Sequence, residues 1–244
     1  MFLRRVAKGA FYVVGTVTII LLLLKIDDEF QDSIFSIEDA NSIGVDIVTV
    51  SDSELDYTIL ESLASDTENV VLASQEKNAD VKAWLRILDT KIDYPVMYTG
   101  DDFYLTHNES GKKSDKGAIY IDRNTPLDSG IVVINGHNMK SGDMFAKLLA
   151  YKSESYAKKH CYIEWTTESG TCNYKVFAVC IVPSDYLGNI LNSQDNSLAN
   201  VGRMLQYDSE YYFDFDTTDQ ILILNTCTYE FTSAHLLVCA YKIE

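Results

Sequence analysis

Two residues stand where their side chains could do chemistry. Cys227 follows an apolar run, Ile221-Leu222-Ile223-Leu224, and the pair Asn225-Thr226; it opens a polar loop, Thr228-Tyr229-Glu230-Phe231-Thr232-Ser233, before a second apolar run begins. A thiol carried by a rigid strand to the mouth of a loop is both fixed and reachable, as a nucleophile must be. His137 repeats the pattern, because Ile131-Val132-Val133-Ile134 leads into Asn135-Gly136-His137. An imidazole beside a thiol lowers the thiol pKa and can protonate a departing amine, so the two together have the chemistry of acyl transfer. Single cysteines are more often inert core and single histidines satisfied polar residues. Here both sit where the apolar alternation stops. The histidine precedes the cysteine, the reverse of the papain-like order.

Few other residues compete for a role. The five cysteines (161, 172, 180, 227 and 239) contain no CxxC pair, which removes the zinc reading, and their odd number leaves at least one thiol free. Cys180 and Cys239 lie inside apolar runs and are expected as small buried residues. Cys161 and Cys172 flank a turn at Ser169-Gly170 and are candidates for a cross-link outside a cell. His107 and His160 are expected at the surface. No metal cluster, phosphate loop or nucleotide fingerprint is present, so no cofactor is expected. A net charge of −16 excludes nucleic acid as a partner, since a phosphate backbone needs a basic face.

The elements that must position Cys227 and His137 begin with a membrane anchor over residues 1–25. Arg4, Arg5 and Lys8 precede an uncharged run from Gly9 to Leu24, and Lys25 can snorkel to complete a span. The basic flank before the run places the N-terminus in the cytoplasm and the remainder outside. No small-x-small cleavage site follows Leu24, which argues against a removed signal peptide. Residues 26–79 form an acidic segment, free of Lys and Arg up to Glu76, with apolar residues at helical spacing (Leu55, Ile59, Leu60, Leu63, Val70, Val71). It is either a helical stalk or a solvated linker.

From residue 80 to 244 the texture is β. Ala83–Ile87, Ile92–Met97 (with Pro95 suggesting an edge strand), 117–122, 130–137, 161–165, 173–182, 221–226 and 236–243 have strand composition, and 161–165 with 173–182 make a hairpin. Asp101–Leu105 is expected as a loop or helical turn, and 143–152 and 197–206 have helical spacing. Around eight short strands with few helices predict a mainly β fold, a barrel or a sandwich.

The segments Ile92-Asp93-Tyr94-Pro95-Val96, Asp102-Phe103-Tyr104-Leu105, Lys116-Gly117-Ala118-Ile119-Tyr120-Ile121-Asp122, Gly136-His137-Asn138-Met139 with Met144-Phe145, and Leu224-Asn225-Thr226-Cys227-Thr228-Tyr229-Glu230-Phe231 resemble the sortases, class B most closely. The resemblance covers about two thirds of the chain. It implies a sortase-like eight-stranded β-barrel, with helices before the barrel and before the last strands. It also implies a cysteine transpeptidase in the membrane of a Gram-positive cell, its catalytic domain extracellular. Such an enzyme cleaves a C-terminal sorting signal of a surface protein and transfers the acyl group to an amine of a cell-wall precursor or a pilin. In that pattern Cys227 is the nucleophile and His137 the catalytic histidine, while Asn225, Thr226, Tyr229, Glu230, Tyr104 and Tyr120 are candidates for contacting the peptide.

One position departs from the pattern. The family has an arginine shortly after the cysteine, taken to bind substrate carbonyls and the oxyanion, and here that position is His235. A histidine keeps a donor but is shorter and charged only below roughly pH 6.5. His235 therefore joins the candidate catalytic residues, and activity is expected to be reduced. The competing readings are a weak or inactive sortase-like peptide-binding protein and a secreted cysteine protease.

Overall fold

The computed structural model describes residues 69–243 apart from Thr217. The expected anchor and the acidic segment up to residue 68 lie outside the described residues. Among those described, no helix is long and apolar enough to cross a membrane.

Nine strands and four α-helices are described. The strands are β1 (Val81–Ile87), β2 (Asp93–Met97), β3 (Ile119–Ile121), β4 (Ile131–Asn135), β5 (Tyr162–Thr167), β6 (Gly170–Pro183), β7 (Ser209–Tyr212), β8 (Ile221–Cys227) and β9 (Ala234–Ile243). They pair in the order β5-β1-β2-β3-β4-β8-β9-β6, and β6 pairs back onto β5. Eight strands thus close into a barrel, which removes exposed edges, and β7 hangs on β6 outside the ring. The β2–β3 and β4–β8 pairs are parallel. The helices are α1 (Val70–Gln75), α2 (Glu154–Lys159), α3 (Tyr186–Leu191) and α4 (Leu198–Tyr207).

The unbroken apolar runs of β4 and β8 follow from their place in this ring. Val132, Ile134, Leu222 and Leu224 point into the barrel core with Leu85, Ile121, Phe145 and Leu236. Ile131, Val133, Ile221 and Ile223 point outward, where Ile190 of α3 and Val201 and Leu205 of α4 cover them. Strands buried on both faces lose the alternation of a half-exposed strand. These are the two strands that carry His137 and Cys227.

Several expectations are corrected. Pro95 is on no edge: β2 lies between β1 and β3, but β3 pairs only with Val96 and Met97, so the missing Pro95 N–H faces no ladder on that side. Residues 145–152 form 3-10 turns after Met144 at φ 53°. Short helices α2 and α3 and strand β7 appear where the sequence shows no clear period. Cys161 and Cys172 are free thiols. The register sets Cys172 opposite Trp165, four residues along β5 from Cys161, so roughly 13 Å separates them, too far to bridge. His160 is buried, its Nδ1 3.2 Å from the Leu88 carbonyl and its ring against Tyr156. Its main chain accepts from Tyr151 Oη at 2.6 Å. Burial of Cys180 and Cys239 is as expected.

Candidate active site

Strand register assembles a row of polar side chains at the ends of β3, β4, β8 and β9. Tyr120 pairs with Asn135, Asn135 with Asn225, and Cys227 with His235. Because side chains alternate across a sheet, Asn135, Asn225, Cys227 and His235 share the face that lower down carries Val133, Ile223 and Leu237. The apolar stripe turns polar where β4 and β8 end and β9 begins. Asn135 Nδ2 donates to Asp122 Oδ2 at 3.4 Å, and Asn225 Nδ2 donates to Asn135 Oδ1 at 2.8 Å. His235 Nδ1 lies 2.7 Å from Asn225 Oδ1, and His235 Nε2 lies 4.0 Å from Cys227 Sγ. Burial lowers the His235 pKa from its usual value, because a desolvated imidazolium is disfavoured.

Cys227 is exposed at the floor of an open cleft of about 650 Å³ lined by Ser184, Tyr229, Phe231, Thr232 and His235, among others. Its backbone is held from two sides. Asn138 Nδ2 donates to the Cys227 carbonyl at 3.0 Å, and Thr226, itself buried, donates from Oγ1 to the Gly136 carbonyl at 2.7 Å. Beyond the thiol, Thr228 N donates to the Ala234 carbonyl at 2.8 Å, and Ser233 takes φ 58° to turn the loop. Lys152 clamps the loop by donating to Thr228 Oγ1 at 2.7 Å and pairing with Glu230. Lys152 and then Thr228 hold the Glu230 carboxyl at a pKa of about 2. Glu230 therefore anchors the loop with both oxygens.

His137 sits two residues beyond the Asn135–Asn225 pair, level with Cys227 on the neighbouring strand. Its ring is turned to the β2–β3 connection, where Nε2 donates to the Leu105 carbonyl at 2.9 Å. Two glycines make this possible. At Gly136 a Cβ would come within 2.5 Å of Ile119 and 2.7 Å of Phe145. At Gly117 (φ 58°) it would lie 2.7 Å from the Leu105 and Tyr104 carbonyl oxygens. Phe145 N donates to the His137 carbonyl at 3.0 Å and closes the loop that follows. In this arrangement the side-chain partner of the thiol is His235, and the ring of His137 is engaged elsewhere.

The tyrosines separate. Tyr229 is 76% exposed on the cleft wall. Tyr120 is buried beside Asn135; burial first, then Asp102, Asp122 and Cys227, push its hydroxyl up to about 12. Tyr104 is buried away from open solvent, with its Oη donating to Asp80 at 2.8 Å and accepting from Asn78 at 2.8 Å, so its ring lines no groove. Asn135, Asn138 and Asp122 lie in the sequence motifs but, like Lys152, are not singled out there as site residues. The two asparagines that end matched apolar runs, Asn135 and Asn225, were a visible signal; Lys152 left none. Arg123 pairs with Asp102 at 3.1 Å, and Arg86 pairs with Glu164 at 3.6 Å. No group of residues able to hold a metal occurs among the described residues. A second depression of about 770 Å³, over Trp84, Arg86, Asp93 and Glu164, contains no thiol or imidazole.

Comparison with known proteins identifies the family and the fold. The family model described as Sortase domain matches residues 85–242. A sortase B of Listeria monocytogenes is 42% identical over 118 residues, 46% of this chain and 47% of that protein, so the match spans about half of the relative's length. A sortase B of Staphylococcus aureus is 26% identical over 178 residues, covering 68% of this chain and 72% of that protein. Among solved structures, Clostridium perfringens sortase B superposes with a TM-score of 0.65 at 28% identity, covering 71% of this chain and 99% of that one. A Staphylococcus aureus sortase B–substrate complex has the same fold, with a TM-score of 0.66 at 21% identity over 86% of this chain and 99% of that one.

Proposed function

The chain belongs to the sortase family, on its class B side, and from that membership we propose that it is a membrane-anchored cysteine transpeptidase working outside the cell. Its substrate is a surface protein with a C-terminal sorting signal, and its acceptor is an amine of a cell-wall precursor or pilin. The observation that carries this reading is Cys227, exposed in a cleft at the end of a strand fixed on both sides, with an imidazole facing its sulfur. The basic flank and apolar run of residues 1–25 support the anchor and the extracellular site.

Cys227 Sγ attacks the carbonyl carbon of a Thr–X bond, and the C–S bond forms as the thiol gives up its proton. The tetrahedral adduct collapses, the C–N bond breaks, and the leaving amine takes a proton, which leaves a thioester on Cys227. An incoming amine attacks that thioester, its C–N bond forms, the C–S bond breaks, and the amine's proton returns to sulfur. By motif His137 handles these protons. Tyr229 and Phe231 supply an exposed aromatic wall for the peptide beside the thiol, with Asn225, Thr226 and Glu230 holding the rim.

Incubating the protein with a sorting-signal peptide and looking for the acyl–Cys227 adduct by mass spectrometry tests the reading. Release of the adduct by added amine in preference to water supports a transpeptidase. Release by water with no preference for amine identifies a cysteine protease. Binding of the peptide without an adduct identifies a peptide-binding module, the reading favoured by His235 standing where the family has arginine.

A further inference from the structure

We propose that Asn138 is the positioning residue that keeps His137 opposed to Cys227, by carrying the β4–β8 pairing past the point where the backbone ladder stops. The inference deepens the transpeptidase reading and rests on it for the role of His137.

The ladder ends short of the two reactive side chains. Its last paired residues are Asn135 and Asn225, and its last backbone bond runs from Gly136 N to the Asn225 carbonyl at 3.1 Å. His137 and Cys227 lie beyond it, where two side chains take over the crossing. Thr226 Oγ1 donates to the Gly136 carbonyl at 2.7 Å, one residue before the histidine. Asn138 Nδ2 donates to the Cys227 carbonyl at 3.0 Å, one residue after it. Among the described residues this is the one hydrogen bond that ties the segment 137–145 to β8. A carbonyl only accepts, so the amide must present Nδ2 to it.

The amide is braced from behind. Asn138 pairs with Met144 as an isolated antiparallel bridge, and Phe145 N donates to the His137 carbonyl at 3.0 Å. Met144 N donates to Tyr94 Oη at 3.1 Å, which fastens the loop to β2, and Asp143 pairs with Lys116. The ring of His137 is held independently of β8. Its Nε2 donates to the Leu105 carbonyl at 2.9 Å, which leaves the lone pair of the neutral ring on Nδ1. The sulfur travels with β8, whereas the imidazole is tied to the β2–β3 connection. Their separation therefore follows the spacing of β4 and β8 at this end, and Asn138 sets that spacing. A misplacement of about 1 Å between reacting groups can cost about 10²-fold in rate. Asn138 acts through the other two residues, and no atom of it enters the reaction.

Thiol alkylation in a double-mutant cycle tests the positioning without any peptide substrate. The full chain is treated with iodoacetamide at pH 7, and the rate is read at the Cys227 peptide by mass spectrometry for the parent, N138L, H137Q and N138L/H137Q. Cys180 and Cys239, buried in the fold, report unfolding by reacting. N138L removes the donor without adding charge, and N138A takes its place should N138L expose the buried thiols. The positioning role requires N138L to slow alkylation at least about threefold, because a thiol that loses its histidine partner is less ionised. It also requires N138L/H137Q to be no slower than H137Q. Equal slowing in both backgrounds makes Asn138 a prop of the strand end alone and overturns the proposal. Parent-like alkylation of N138L or of H137Q overturns it as well. In peptide cleavage, kcat of N138L is expected to fall at least about tenfold with KM within about twofold of the parent; a rise confined to KM overturns the role. A protein that passes the alkylation cycle yet never forms the acyl adduct would sink the transpeptidase reading and leave the positioning by Asn138 standing.

Discussion

Cys227 and His235 face each other as a cross-strand pair, and the imidazole that reaches the sulfur at 4.0 Å is itself braced by Asn225 on the thiol's own strand. One β-ladder therefore supplies the nucleophile, a nitrogen aimed at it, and the group that orients that nitrogen. Nothing in this arrangement depends on a loop adopting a particular closure. An antiparallel register fixes it as firmly as it fixes the core below.

Restoring the family's arginine should raise the proposed activity. In H235R the guanidinium remains protonated at every working pH and presents a fork of donors to substrate carbonyls and the oxyanion. Amine-dependent cleavage of a sorting peptide is expected to rise by up to about 10²–10³-fold, the range that one oxyanion donor contributes. A fall in kcat on going to arginine would instead mean that the imidazole of His235 takes part in proton transfer at Cys227.

The same histidine sets a pH dependence. Its side-chain partners are the Cys227 thiol and the neutral amide of Asn225. Its folded pKa is depressed, so the unfolded chain binds a proton over a range where the folded chain does not. Its contribution to stability is present above about pH 6.5 and is lost as pH falls through the lower folded value. Urea titrations at pH 7.5 and 5 should show a stability difference that shrinks in H235Q.

Much of this was legible in the chain. The paired motifs apolar run–Asn–x–Cys and apolar run–Asn–Gly–His gave both strands and both chemical residues, and the resemblance gave the barrel. The connection between them was not legible. That Asn225 meets His235 depends on the β8–β9 register, and that Asn135 meets Asn225 depends on a parallel pairing between strands ninety residues apart. Tyr104 looked like a groove residue because it sits in a motif, yet its hydroxyl is taken by Asn78 and Asp80 in the packed interior. His160 misled in the same way, its burial coming from Tyr156 and Leu88, which no local period reveals.

Gly117 should be intolerant of a side chain, with an effect that reaches His137. In G117A the new Cβ would lie 2.7 Å from the Leu105 oxygen, in a left-handed conformation that alanine disfavours. The cost is expected to be about 1–3 kcal/mol, read as a lowered urea midpoint. Because that oxygen accepts from His137 Nε2, the NMR signals of His137 should shift while those of His235 stay in place. Both histidines moving together would mean the two sites are mechanically coupled.

Removing the clamp on the loop beyond the thiol should weaken substrate binding more than chemistry. Lys152, Thr228 and Glu230 fix residues 228–233, the wall that carries Tyr229 and Phe231. The Glu230 carboxyl is depressed to about 2, so its stabilising effect is present above roughly pH 4.5 and fades as pH falls toward 2. The pair is partly solvated, which limits its contribution to under about 1 kcal/mol. For E230Q a Tm loss of less than about 4 °C is expected at pH 7, narrowing on acidification toward pH 2. In peptide cleavage the same variant should raise KM several-fold with kcat within about twofold of the parent. A loss confined to kcat would place Glu230 in the chemistry of Cys227 instead of in the architecture of the cleft.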